Sequence, residues 1–132
     1  MKMFQISDKI DNVSRIGIGC MRITGLSDEK AVRSLIEGAL ECGINFFDHA
    51  DIYAGGEAET LFGNALTPQL REKMVIQTKC AIRPGICYDF SKEYNSEFCR
   101  WKSETFKNRL CRYITSSSSG CVDGAGRGSR SI

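Results

Sequence analysis

The 132 residues of the chain predict an α/β fold, and three observations carry that expectation. Short apolar runs alternate with longer stretches of helical periodicity. The order is strand, helix, strand, helix, strand, which points to parallel strands joined by right-handed helical crossovers. The aliphatic residues that could bury such elements stop near Tyr94. Residues 1–94 hold 24 Ile, Leu, Val and Met, whereas residues 95–132 hold four.

The first strand lies in Arg15-Ile16-Gly17-Ile18-Gly19, a short apolar run with glycines. Ser27 can cap the helix that follows, with Asp28 and Glu29 well placed in its first turn. Val32, Leu35, Ile36, Ala39 and Leu40 then fall on one helical face, and Gly43 suits the stop. A second strand, Ile44-Asn45-Phe46-Phe47-Asp48, ends in an acid. A helix is expected from Glu57 to Leu66, with Leu61, Phe62 and Leu66 on one side. A third strand runs from Lys73 to Lys79, entered from a polar loop.

Residues 95–132 have different statistics, with eight Ser, three Cys and four Gly. They carry a net charge of +4 where the first 94 residues carry −2. A segment so poor in aliphatics cannot bury enough surface to offset its ordering entropy. It is expected to be a disordered tail, with the core drawn from residues 1–94.

Several function classes are disfavoured by composition. A net charge of +2 gives no electrostatic case for a nucleic-acid or membrane partner, and no stacking aromatics accompany Arg127 and Arg130. No apolar run approaches the roughly 18 to 20 residues of a membrane span. The segment Met1 to Asp8 lacks the apolar core of a signal peptide. A cytoplasmic location follows as the expectation, with the seven cysteines read as reduced thiols. They include no C-x-x-C pair, and the chain has one histidine, so no metal site is expected.

Two α/β plans fit the element order: an open doubly wound sheet and a closed (β/α)8 barrel. Gly17-x-Gly19 after a strand invites a dinucleotide loop, but Arg22 holds its third glycine position. The helix also begins only near Asp28, too far on for a phosphate loop.

The run Gly43-Ile44-Asn45-Phe46-Phe47-Asp48-His49-Ala50-Asp51-Ile52-Tyr53, followed by Glu59-Thr60-Leu61-Phe62-Gly63, resembles the first signature of the aldo/keto reductase family. In that pattern an Asp ends the second barrel strand, a Tyr follows five residues later, and a Glu leads to a Gly. Gln77-Thr78-Lys79-Cys80 resembles the family's strand ending in a catalytic Lys, and Arg15 to Met21 resembles its first strand. The resemblance covers residues 10–94 and departs from the pattern in the spacing at Ala54-Gly55-Gly56. It implies the N-terminal three βα units of a TIM (β/α)8 barrel. It also implies NADPH-dependent reduction of a carbonyl, or the reverse oxidation of an alcohol.

By that resemblance Tyr53 would be the proton donor, Lys79 its tuner and Asp48 the partner of the lysine. The residue types suit the chemistry. A phenol, ordinarily near pKa ~10, donates a proton usefully only when something favours its ionised form. A neighbouring ammonium does that, and a carboxylate holds the ammonium charged and oriented. Asp48 and Lys79 close two predicted parallel strands and Tyr53 follows one of them, at the end where barrel active sites lie. Each residue alone has a plainer reading: a packing Tyr, a solvated Lys, an Asp that caps a helix. Their joint order favours the site. His49 follows Asp48 directly, so strand alternation turns it to the opposite face. It is read as structural or near-site, not as the family's catalytic histidine.

The tail admits a further reading. Codons allowed for residues 95–132, shifted by one base, permit I-L-N-S-V-D-G-S-L-K-R-L-K-T-D-Y-V-D-I-L-L-L-H-R-P-D. That string resembles the family's second signature, a helix leading to a strand that ends in the missing histidine, whose codon would straddle Ser117 and Ser118. A one-base insertion or two-base loss near Tyr94 accounts at once for the aliphatic collapse, the basic shift and the extra cysteines. A full barrel takes about 250 residues, and three strands leave two open edges with apolar faces uncovered. The chain itself is therefore expected neither to bind NADPH nor to reduce carbonyls. The competing expectation is a non-enzymatic interaction protein, or a decayed gene product, that self-associates through its open sheet edges.

Overall fold

Antiparallel pairing opens the chain: β1 (Met3–Phe4) and β2 (Val13–Ser14) form a hairpin. This is a computed structural model, and it describes residues 2–6, 8, 10–83, 87–89, 91–106 and 113–116. For 83, 87, 95, 99, 103 and 113–116 it describes the backbone alone. After the hairpin come β3 (Gly17–Gly19), helix α1 (Glu29–Glu41) and β4 (Phe46–Asp48). Helices α2 (Glu57–Ala65) and α3 (Pro68–Glu72) lead to β5 (Val75–Cys80). A small antiparallel pair, β6 (Ile82–Arg83) with β7 (Cys87–Tyr88), precedes helix α4 (Lys92–Thr105) and β8 (Tyr113–Ser116).

The central sheet has the order β3-β4-β5-β8, with every neighbour parallel. The expected strand–helix alternation is present, and its boundaries shift for local reasons. Asp28, not Ser27, caps α1, because its carboxylate accepts the Ala31 N–H at 2.8 Å. Gly43 ends the same helix region at φ 76°, a left-handed conformation that a Cβ would strain.

The two faces of the sheet are covered differently. Ile18, Phe47 and Ile76 are in register and face the helices. There Val32, Ile36, Phe62, Met74 and Phe106 complete the main core. On the other face, the interior side of a barrel, Ile10 and Val13 pack on Val75, with Ile6 and Phe46 against them. Strand alternation puts Phe46 and Asp48 on this same face. The interior face was expected to stand uncovered, but the N-terminal hairpin region fills its lower half and leaves a polar upper half.

Described secondary structure also lies on both sides of residue 94. Helix α4 crosses it, starting from Ser91, whose hydroxyl accepts the Tyr94 N–H at 3.2 Å. Phe98, Lys102 and Phe106, spaced by four residues, are all buried. Two aromatic rings and a lysine stem supply the burial that aliphatics do not. Gly63 on α2 makes the docking possible, because a Cβ there would overlap the carbonyl of Thr105. β8, within the segment read from sequence as a tail, pairs with β5 as a fourth parallel strand, in register Lys79 to Thr115 and Cys80 to Ser116. The rest of the expected tail, residues 107–112 and 117–132, lies outside the described residues. Among the described residues, no helix is long and apolar enough to cross a membrane.

Candidate active site

Asp48 and Gln77 stand opposite each other on β4 and β5. Lys79, two residues beyond Gln77, projects from the same face. Its ammonium donates to Asp48 Oδ1 at 2.6 Å and to the His49 carbonyl at 2.6 Å. Gln77 Nε2 donates to the same Asp48 oxygen at 3.0 Å. The pair is mostly covered but reachable from solvent, with side-chain exposures of 22% for Lys79 and 30% for Asp48.

After β4 the chain turns over the end of β5, where the Asp51 N–H donates to the Lys79 carbonyl at 3.2 Å. A tight helical turn, Tyr53–Gly56, follows, with Ala54 at φ 49° and Gly55 at φ 62°. That turn absorbs the unusual Ala54-Gly55-Gly56 spacing, and α2 starts at Glu57. It sets the Tyr53 ring centroid 5.3 Å from Lys79 Nζ. The three residues singled out from sequence, Asp48, Tyr53 and Lys79, thus meet at the C-terminal end of the parallel strands.

The surroundings separate what can react from what cannot. Cys20 closes β3 beside the pair, its N–H donating to the Asp48 carbonyl at 2.9 Å. Burial above all, with Asp48 adding and Lys79 opposing, pushes its thiol up to about 12. It is a packing residue rather than a nucleophile. His49 is fully buried on the far face, edge-on to Phe62 at 4.5 Å and 5.4 Å from Phe106. Burial first, then the charges of Lys102 and Lys79, hold its pKa down at about 3. That environment keeps the imidazole neutral and structural, as alternation implied.

Sequence reasoning passed over a second cluster behind the sheet. Glu59 on α2 is fully buried and accepts the Thr78 hydroxyl at 2.5 Å. Lys102 on α4 pairs with its other oxygen and lies over the Trp101 ring at 4.1 Å. Glu59 was legible only as part of a motif, since a buried carboxylate in a helix gives no periodic signal. Asp51, in the loop after β4, has its carboxyl pushed up, by burial foremost and against the pull of Lys102.

Chemically, the arrangement holds a lysine ammonium, paired with a carboxylate, against the ring of Tyr53 at the strand end. It offers less to a dinucleotide. The Lys79 ammonium is taken by Asp48 and a carbonyl, while Lys102 is buried on the far face of the sheet. Arg22, after β3, is exposed, and a single surface charge makes no diphosphate site. The cleft lined by Lys2, Met3, Phe4 and Arg15 lies at the opposite end of the strands. The described residues fit a proton-handling centre and do not fit the whole cofactor.

Comparison with known proteins bears on the family and the fold. A family profile described as "Aldo/keto reductase family" matches residues 15–109, fifteen residues further than the sequence motifs reached. "Probable aldo-keto reductase 1" of Glycine max is 39% identical over 103 residues, covering 74% of this chain and 30% of that protein. A "6-dehydroglucose reductase" of Novosphingobium aromaticivorans is 44% identical over 92 residues, covering 62% of this chain and 30% of its own length. Among solved structures, aldo-keto reductase AKR11C1 of Bacillus halodurans, in its holo form, superposes with a TM-score of 0.73 at 29% identity. That match covers 88% of this chain and 40% of the other. The chain thus spans under a third of the length of these curated relatives and has the partial TM-barrel fold of its structural neighbours. On the family match, the sequence motifs and the strand-end geometry together, the chain belongs to the aldo/keto reductase family.

Proposed function

We propose that Asp48, Tyr53 and Lys79 are the proton-transfer part of an NADPH-dependent oxidoreductase that interconverts carbonyls and alcohols. The observation that carries this reading is the 2.6 Å contact of Lys79 Nζ with Asp48 Oδ1, set 5.3 Å from the Tyr53 ring. In the direction of reduction, the hydride would come from NADPH once a complete barrel held it. Tyr53 gives its proton to the oxygen of the carbonyl, Lys79 favours the phenolate left behind, and Asp48 with the His49 carbonyl holds the ammonium in place. The substrate is a small molecule bearing an aldehyde, ketone or secondary alcohol, a class to which the sugar-derived substrate named for one relative belongs. Neither nucleic acid nor membrane takes part. The thiols of Cys20 and Cys42, free among the described residues, suit the cytoplasm.

We further propose that the 132-residue chain is itself inactive, being the product of a reading frame that shifts near Tyr94. Hydride transfer requires the nicotinamide carbon fixed roughly 3 to 3.5 Å from the carbonyl carbon, and the described residues do not fit the cofactor. The frame reading is supported by topology. β8 runs parallel to β5 and stops at Ser116, and the shifted histidine codon straddles Ser117 and Ser118. In the restored frame that imidazole would emerge at the same strand end as Lys79. Sequencing the gene across the codons for Glu93 to Asn95 tests the frame.

The chemistry is tested by expressing the frame-restored chain. It should bind NADPH and reduce a generic aldehyde or quinone, and Tyr53→Phe should cost it about 10² to 10⁴ in rate. Saturable NADPH-dependent reduction by the 132-residue chain would refute the inactivity. Self-association without catalysis is the second reading, favoured by the exposed edge strand β3 and by Ile16 beside it, 55% exposed. An inactive frame-restored chain would favour it.

A further inference from the structure

We infer that Gln77 is a positioning residue for the Asp48–Lys79 pair, an assignment that rests on the reading of that pair given above. In the sheet register the residue directly opposite Asp48 is Gln77, not Lys79. Lys79 reaches Asp48 only on the diagonal, from two residues further along β5. A carboxylate held by a single diagonal partner can rotate about its last torsion and carry the ammonium with it. The amide of Gln77 closes that freedom by donating to Asp48 Oδ1 at 3.0 Å, the oxygen that also takes Lys79 at 2.6 Å.

A neutral donor suits this place. It supplies a hydrogen bond to the ionised oxygen without adding a second positive charge beside it. Asp48 therefore keeps Lys79 as its charge partner, and Lys79 stays high on the strand, beside Tyr53, with the His49 carbonyl as its other acceptor. A lysine or arginine at position 77 would compete for Asp48. A carboxylate there would repel Asp48 and draw the ammonium down the strand.

Heteronuclear NMR of the lysine ammonium groups in the 132-residue chain tests the assignment. The Lys79 ammonium should give a slowly exchanging signal, and Gln77→Met, which keeps the length and removes the donor, should speed its exchange about tenfold. Gln77→Asn, too short to reach, should do the same, and the backbone amides of β4 and β5 should keep their shifts in both variants. Exchange that stays within about twofold in both variants would overturn the assignment and leave the Asp48–Lys79 reading standing. Exchange in the parent as fast as that of surface lysines would overturn both. In the frame-restored chain, Gln77→Met should lower kcat about tenfold with KM unchanged. An equal loss in KM would mark a binding role and overturn the assignment.

Discussion

Acid should loosen this fold through its one histidine. In the folded chain burial holds His49 down at about 3, against an ordinary value of 6.5. Between those values the unfolded chain binds the proton and the folded chain refuses it. Stability is therefore complete above about pH 6.5 and declines as the pH falls towards the folded value. At about pH 5 the deficit is roughly 1.5 pK units, or on the order of 2 kcal/mol. That is a large share of the 5–15 kcal/mol (roughly) that holds an ordinary domain together. Asp51, whose carboxyl is pushed up by burial, acts in the opposite sense, so the informative comparison is with a variant that retains it. His49→Phe removes the titration and keeps an aromatic ring against Phe62 and Phe106. Urea titrations of both proteins across about pH 5 to 8 should show a midpoint that falls with acid in the parent and much less in the variant. The single imidazole resonance of the folded parent should not titrate in this range. A resonance that titrates near 6.5 in the folded protein, or the same acid slope in His49→Phe, would refute the reasoning.

Two further substitutions probe the packing. Gly63→Ala places a Cβ into the Thr105 carbonyl and should destabilise the docking of α4 by about 1–3 kcal/mol; hydrogen exchange should rise in α4 before it rises in β4 and β5. Ala81 sits at φ 85° just beyond Lys79 and Cys80, a conformation that costs a residue with a Cβ about 1–2 kcal/mol. Ala81→Gly should therefore raise stability by about 1 kcal/mol after the entropy of glycine is counted, read as a higher urea midpoint, and a lower midpoint would contradict it.

The sequence was legible where periodicity and chemistry coincided. Val32, Ile36 and Ala39 mark the buried stripe of α1, and Asp48, Tyr53 and Lys79 lie where parallel strands were expected to end. The N-terminal hairpin escaped notice because its strands have two residues each, too few for an alternation to register, and β2 is entered through Asn12 at φ 51°. Helix α4 escaped because burial there falls to Phe98, Lys102 and Phe106, which a count of aliphatics does not see. The run Tyr113-Ile114-Thr115 did carry a β signal, aromatic followed by β-branched, submerged in a serine-rich context. Gln77 was read only as part of a strand. A residue that matters through its neighbour's carboxylate becomes visible only once the register is known.

The hairpin region has a consequence for synthesis. Ile10 and Val13 precede their partner Val75 by more than sixty residues. A ribosome adding about 5–20 residues per second therefore leaves them without that partner for roughly 3–13 s. Over the same interval α1 and α2 emerge and can begin to bury Val32, Ile36 and Phe62 against Phe47, a local collapse that needs no late residue. The emergence of β5 is the step that engages both sides of the sheet at once, bringing Ile76 to the helices and Val75 to the waiting hairpin. Translational pausing ahead of β5 would prolong the exposure of an apolar N-terminal segment, which makes the codons before Val75 the place where the speed of translation bears most directly on the yield of folded chain.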